Sequence, residues 1–550
     1  MRPRVVVIGA GMGGLAAALR LARLGFGVTV LEARAGPGGL ASGLTLDGFP
    51  FDAGPYILLD RPGLEWAFHA LGIDLAERVP LVRIEPHVYE VEADGAPTVR
   101  ISADLHATAD GIERAFPGGA GERYVRFVDR TRRIHDRLRP LLFVPRPGAW
   151  DLVRTGAIRH ALFLARPLGA ALAASGLPAP VRDALGIWTH VAGQRADEAP
   201  SPLAFVPALI HSVGAFYPSG GMGSIPRVLA DEAGRAGAEV RYGERVRAIV
   251  CRGGRARAVE TERGEAIEAD AILSDAGGVG TYLDLARGDG PAPGPPVPER
   301  VRERLAALPL QSPGVCAYLA VKGRPAPPYL RFRIGENGRT CRLLVAPGVL
   351  GPGLERDGRF PARLISPMAH EAAERGGEPA QRAHLEALLA DAFWRRDLED
   401  ARVLGTRIPL EWGRDYRLHR DSMNPVMTAR FMREGRLAHR SPFVRGLYLA
   451  GRSTHPGQWV SFCAVSGVHA AECAARSRDR PSRSGARTTA TSRRRTARAS
   501  PPGSRAAASR SWRAPGTGWP STARGRSRSG WRPSCSGRPE PEFESTSSMR

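Results

Sequence analysis

The sequence predicts an α/β fold, and three observations carry that expectation. A β-branched run at residues 4–8 leads directly into a glycine-rich turn, then into an apolar helical pattern that ends at Gly25. A second β run at 28–31 follows and closes on an acid, Glu32. Strand, glycine cluster and helix recur near residues 217–274 and again at 446–475. Short, continuous β-branched runs bounded by glycines are the mark of strands buried on both faces of a parallel sheet.

Between these anchors the pattern changes. Residues 34–55 are rich in Gly and Asp and read as loops. From about 78 to 216, short alternating segments (88–91, 98–101) give way to helical stretches. One of these, 138–177, is rich in Leu, Phe, Trp and Ala and punctuated by Arg. A glycine cluster at 217–223 precedes a helix expected at 225–236, a strand at 239–242, a hairpin pair at 246–251 and 256–261, and a buried strand at 271–274. Pro and Gly crowd 288–298, which reads as a linker. A second mixed region runs to about 435. After 476 the chain turns Arg/Ser/Pro/Gly-rich with no apolar period, a composition that cannot bury a core and is expected to be disordered.

At 550 residues the chain is long enough for two domains with real cores. Its net charge of +23 invites a nucleic-acid reading. That reading is set aside, because 17 Arg against four acids lie after residue 476 and Lys322 is the only lysine, an amino-acid bias rather than a basic face. Six cysteines (251, 316, 341, 463, 473, 535) form no CxxC pair and none sits at zinc spacing to a His, so no metal site is expected. No signal peptide or membrane-spanning run is evident, and a cytoplasmic location is expected.

The chemistry begins at Gly9-Ala10-Gly11-Met12-Gly13-Gly14. Here the GxGxxG pattern has its full context: a strand before it, a helix after it and Glu32 roughly 20 residues on. Gly9 permits the tight turn, Gly11 lets backbone approach a pyrophosphate, and Gly14 lets helix and strand pack closely. The helix N-terminus favours the phosphates. Glu32 is placed to accept from a ribose diol and to repel a 2′-phosphate. A second loop, Glu32-Ala33-Arg34-Ala35-Gly36-Pro37-Gly38-Gly39, follows the acid, as is typical of proteins that bind FAD; Asp52-Ala53-Gly54-Pro55 comes next.

The stretch from Val5 to Asp60 resembles the amine oxidase and carotenoid desaturase superfamily, and FDAGPYIL at 51–58 is similar to a segment of bacterial-type phytoene desaturases. FYPSGGMGSIPRVLADEAGRAGAEVRYGERVRAI, from 216, resembles the family's middle segment. GLYLAGRSTHPGQWVSFCAVSGVHAA, from 446, resembles its closing segment. The resemblance spans about 4–475 and implies a Rossmann-type FAD-binding domain built from three pieces (1–77, 217–285, 441–476). It implies a mixed α+β substrate domain inserted as 78–216 and 286–440, with 477–550 as a basic tail. It places Val246 at the adenine end, Gly451 near the phosphates, and residues 457–460, including Trp459 and Val460, beside the isoalloxazine. Leu40 replaces an Arg frequent in the superfamily, and Gln458-Trp459 stand where many desaturases have smaller residues.

The resemblance implies desaturation of a carotenoid or phytoene-like polyene by hydride transfer to flavin, with quinone or oxygen taking the electrons. Carotenoid cis-trans isomerisation and amine oxidation are the alternatives, and a non-catalytic flavin-binding scaffold is a further one. WDLVR at 150–154 is similar to an Asp-x-x-Arg segment of phytoene desaturases. Asp151 would be the base and Arg154 would orient it, against the plainer reading of an i, i+3 surface pair. His455 reads as a loop residue near the cofactor. The 138–177 stretch reads either as core helices or as a basic, aromatic-bearing surface for a membrane.

Overall fold

The computed structural model describes residues 2–477, except 193, 289–295, 336–340, 392–393, 395–397, 399 and 435. The expected disorder of the tail and most of the expected linker therefore lie outside the described residues. In chain order, the elements that build the site are β1 (Arg4–Ile8), α1 (Met12–Arg23), β2 (Gly27–Glu32), α2 (Arg61–Ala70), α3 (Ala149–Arg154), α4 (Ala161–Ala165), β3 (Glu239–Tyr242), β4 (Ala271–Ser274), β5 (Leu447–Leu449) and α5 (Val460–Arg476).

Five strands form an all-parallel sheet in the order β5-β4-β1-β2-β3. Strands that are neighbours in space thus come from the start, the middle and the end of the chain. Val5 to Ile8 are buried, as the continuous β-branched run requires. Helix α1 covers one face with Leu15, Leu19 and Leu21, and α5 packs across it. The crossing is close because both helices offer glycine. A Cβ on Gly467 would lie 2.3 Å from the Gly13 carbonyl oxygen.

A seven-stranded mixed sheet stands apart from this one. Its order is Arg402–Arg407, Val315–Lys322, Arg359–Ser366, Cys341–Val345, Leu330–Ile334, His87–Ala93, Val99–Ser102. Strands from the regions before and after the middle flavin segment meet where His87–Ala93 runs parallel to Leu330–Ile334. Two stretches of sequence 240 residues apart therefore share one sheet.

One expectation is corrected. Residues 34–55 are not only loops, because Gly43–Leu46 pairs with Phe49–Asp52 in an antiparallel hairpin. The signal was in the sequence. Leu44, Leu46, Phe49 and Phe51 alternate around Asp47-Gly48, both at positive φ (47° and 80°), the left-handed pair that a two-residue hairpin turn demands. The 138–177 stretch, expected to be helical, is a chain of short helices, broken at Pro145, Pro147, Gly156 and Pro167. No helix among the described residues is long and apolar enough to cross a membrane.

Candidate active site

The glycine turn after β1 is strained in a way only glycine tolerates. Gly9 sits at φ 94° while its N–H donates to Leu31 O at 2.8 Å, locking β1 to β2. A Cβ on Gly14 would lie 2.1 Å from the Gly9 carbonyl oxygen, and one on Gly13 2.6 Å from Gly451 N. Helix α1 has no side-chain cap at its N-terminus. An acceptor from elsewhere in the fold fills part of that role: Gly14 N–H donates to Asp275 Oδ2 at 2.8 Å.

Glu32 is buried, with Oε2 accepting from Ala10 N–H (2.7 Å) and Oε1 from Arg34 N–H (2.9 Å). Desolvation raises its pKa against those bonds. Each oxygen keeps a free lone pair for a ribose hydroxyl. The second glycine loop folds back over the first, since Gly38 N–H donates to Ala10 O at 2.7 Å. Arg34 lies over the Tyr416 ring at 4.2 Å and donates to Ser42 Oγ at 2.9 Å.

Asp52 explains why the FDAGP segment and the middle segment belong together. Its buried carboxylate accepts from Tyr217 O–H and from Met222 N–H, both at 2.7 Å. Arg363, buried in the seven-stranded sheet, donates to Ala53 O (3.0 Å) and Gly54 O (3.1 Å). One loop is thereby tied to the middle segment and to the seven-stranded sheet.

A cavity of about 1750 Å³ runs through this framework. Gly9, Gly11, Gly13, Glu32, Ala33, Arg34, Gly38, Gly39, Gly54, Val246, Trp459 and Val460 line it. Ala10, Gly14 and Gly451 stand just behind, through the contacts given above. Much of the remaining lining is apolar, including Leu58, Leu59, Leu141, Leu142, Leu152, Leu164, Phe205 and Leu209. The volume exceeds the roughly 300–1,000 Å³ of a pocket for one drug-sized ligand, which leaves room for a dinucleotide and a second molecule.

Sequence reasoning missed three groups. Asp275, one residue past β4, sits in the notch of Gly11, Gly13, Gly14 and Gly451. Desolvation pushes its carboxyl up to about 6, opposed by Gly14 N–H and by the charge of Arg452. Arg452 and Arg436 line the cavity as well. Asp60, the N-cap of α2, is buried and also lines the cavity. Asp275 and Arg452 have glycines close by in the chain, but these residues lie far apart in sequence, and only the fold brings them to one cavity.

The structure does not bring Asp151 and Arg154 to the cavity. Asp151 Oδ2 accepts from Gly148 N–H (2.9 Å) at the start of α3, and Arg154 stands 3.7 Å from its other oxygen in a solvated i, i+3 pair. Only Leu152 between them faces inward. His455 Nε2 bonds Leu141 O at 2.9 Å, and burial pushes its pKa down to about 4, so it is neutral at pH 7. Among the described residues no His/Cys/Asp/Glu group is arranged to hold a metal.

The residues fit FAD. Glycine backbone and the α1 N-terminus would hold the diphosphate, Glu32 would accept from the ribose, and Arg452 would add cationic charge. Fold and site together define a flavin-dependent oxidoreductase. A model of flavin containing amine oxidoreductases matches residues 12–274. The chain is 30% identical over 495 residues to the hydroxyneurosporene desaturase of Cereibacter sphaeroides, covering 86% of this chain and 97% of that protein. It is 29% identical over 492 residues to the zeta-carotene-forming phytoene desaturase of Myxococcus xanthus (84% and 92%). A putrescine oxidase structure superposes with a TM-score of 0.57 at 17% identity, covering 87% of this chain and 98% of that one. The chain belongs to the carotenoid desaturase family of FAD-dependent oxidoreductases.

Proposed function

We propose that the chain desaturates a long carotenoid or phytoene-like polyene. The observation that carries this reading is the single cavity that starts at the glycine notch and continues between apolar walls. When bound, FAD supplies hydride acceptance. The protein's own work is orientation and exclusion of water. Leu58 and Leu59 on one side and Leu141 and Leu142 on the other hold a hydrocarbon without a polar handle. Trp459, stacked on Phe462 at 5.1 Å, makes a rigid wall beside the ring position. An amine oxidase would need a compact cage for a cation, which these walls do not resemble.

Membrane contact belongs to the same reading. Helices α3 and α4 turn Leu152 and Leu164 to the cavity. Their other faces expose Trp150 (73%), Val153 (50%) and Leu162 (78%) to solvent. Arg146, Arg154, Arg159 and Arg166 flank them. An apolar lip with a basic rim suits entry of an insoluble polyene from an anionic bilayer. Oxygen or a quinone from that bilayer takes the electrons.

The test is expression in a bacterial host that accumulates phytoene or partly desaturated carotenoids, with pigments separated and weighed by mass spectrometry. Products lighter by two hydrogens per step support the reading. Unchanged mass with altered geometry would indicate isomerisation. Peroxide release with soluble amines, and inert carotenoids, would sink it.

A further inference from the structure

The cavity contains one carboxylate that neither cofactor binding nor the surface explains. Five acids line it: Glu32, Asp60, Asp275, Asp284 and Asp421. Glu32 is held at the ribose end by Ala10 and Arg34. Asp275 sits in the glycine notch against Gly14. Asp284 is exposed and bonded to His419 Nδ1 at 2.6 Å, and Asp421 lies in the turn that carries His419 and Arg420. Asp60 differs from all four. It follows Leu58 and Leu59 in the apolar wall, is 3% exposed, and meets the start of α5 immediately after Trp459 and Val460.

We propose that Asp60 accepts the substrate proton in the reaction set out above; the inference rests on that reading. The carboxylate is fixed from two sides. Oδ1 accepts from Gly63 N–H at 3.1 Å and Oδ2 from Ser461 Oγ–H at 2.9 Å. Two bonds leave lone pairs free on both oxygens. The charged groups that act on it are Arg139, which lines the same cavity, and Glu65, one turn along α2. Burial pushes its carboxyl up to about 6, against Ser461, Gly63 and Arg139. A base with that affinity is ionised at neutral pH and still takes a proton readily.

The step balances. One saturated carbon gives up a hydride, two electrons with it, to FAD. The adjacent carbon gives its proton to the Asp60 carboxylate, and the electron pair of that C–H bond becomes the new C=C π bond. The proton leaves Asp60 for solvent as product departs, and the electrons pass to oxygen or quinone.

Asp60→Asn is the deciding variant, because Asn caps helices as well as Asp and keeps an acceptor for Ser461. With FAD-loaded protein and a polyene in liposomes, wild type should convert substrate with an acid limb near pH 6. The variant should lose on the order of 10²- to 10⁴-fold in kcat, with KM and FAD content unchanged. Ser461→Ala, which removes a bond to the charged form, should move the acid limb upward, a shift that a purely structural role would not produce. Infrared titration of the loaded protein without substrate should show, beside the band of Asp275, a second carboxyl band near pH 6 that Asp60→Asn lacks and Asp275→Asn keeps. Asp60→Asn turning over like wild type, or no such band, overturns the role of Asp60 and leaves the desaturase reading intact. Wild type inert toward every polyene overturns the reading itself, and the role of Asp60 with it. Asp151→Asn carrying the loss instead would return the role to Asp151.

Discussion

The parallel sheet around β1 and the short helices α3 and α4 are made of similarly apolar sequence, yet they send it to different places. In the sheet, Val5 to Ile8 are buried, as are the Leu positions of α1 and Ala16 to Ala18. In α3 and α4, Trp150, Val153 and Leu162 stay exposed while Leu152 and Leu164 reach the cavity. Apolar sequence with glycine at fixed spacing builds a frame. Apolar sequence interrupted by Pro and Arg leaves part of its surface exposed, the surface proposed above as a lip for the membrane. Exposed apolar clusters on a folded protein mark binding surfaces rather than defects.

The sharpest way to test the frame is Gly14→Val. Its side chain must enter the 2.1 Å gap to the Gly9 carbonyl. We expect complete loss of FAD, read from the absorbance of the purified protein, with a stability cost of about 3 kcal/mol or more from overpacking. A yellow, stable Gly14→Val protein would mean that the notch is looser than its geometry.

On the lip, Trp150→Ser with Leu162→Ser should leave thermal stability within about 0.5 kcal/mol, since exposed side chains contribute little to folding. Liposome binding should weaken by about tenfold or more, given roughly 25 cal/mol per Å² of apolar area withdrawn. Sedimentation with anionic vesicles measures it. Equal binding by both proteins would remove the lip from the account and place membrane contact elsewhere.

Asp275 sharpens the frame side. Desolvation raises its pKa to about 6, so it is ionised at pH 7 and neutral below 6. A neutral carboxyl in the notch repels a diphosphate less. FAD affinity should therefore tighten as pH falls through about 6, by at most about tenfold per pH unit. Fluorescence titration of apoprotein at several pH values follows it, and Asp275→Asn should flatten the dependence. A dependence of opposite sign would show that Asp275 supports the cofactor as an anion.

The smallest effect belongs to the pair on α3. Arg154→Ala should cost no more than about 1 kcal/mol in thermal unfolding, because an exposed i, i+3 pair is screened by water. A larger loss would mean that the surface pair is braced by something other than Asp151.

Much of the frame was legible because its rules are local. Gly9, Gly11, Gly14 and Glu32 obey spacing imposed by one turn of backbone and one helix. The expected strands at 239–242 and 271–274 coincide with the observed ones for the same reason. The hairpin at 43–52 was equally local and was overlooked beneath its glycines.

What the sequence by itself determined was the strands of the parallel sheet, the glycine turn and the acid that ends β2, since each is written in contiguous residues with a fixed period, and the resemblance of two later segments implied that the chain returns twice to one domain. Only the tertiary structure decided which carboxylate reaches the cavity. Asp151 was the base that the resemblance implied, but its carboxylate accepts from Gly148 N–H at the start of its own helix and does not line the cavity. Asp60 was singled out by no motif, but Ser461, 401 residues away, holds it beside the apolar wall. Burial, and with it the proton affinity of a carboxyl, is set by neighbours that arrive from elsewhere in the chain, and no local pattern records them.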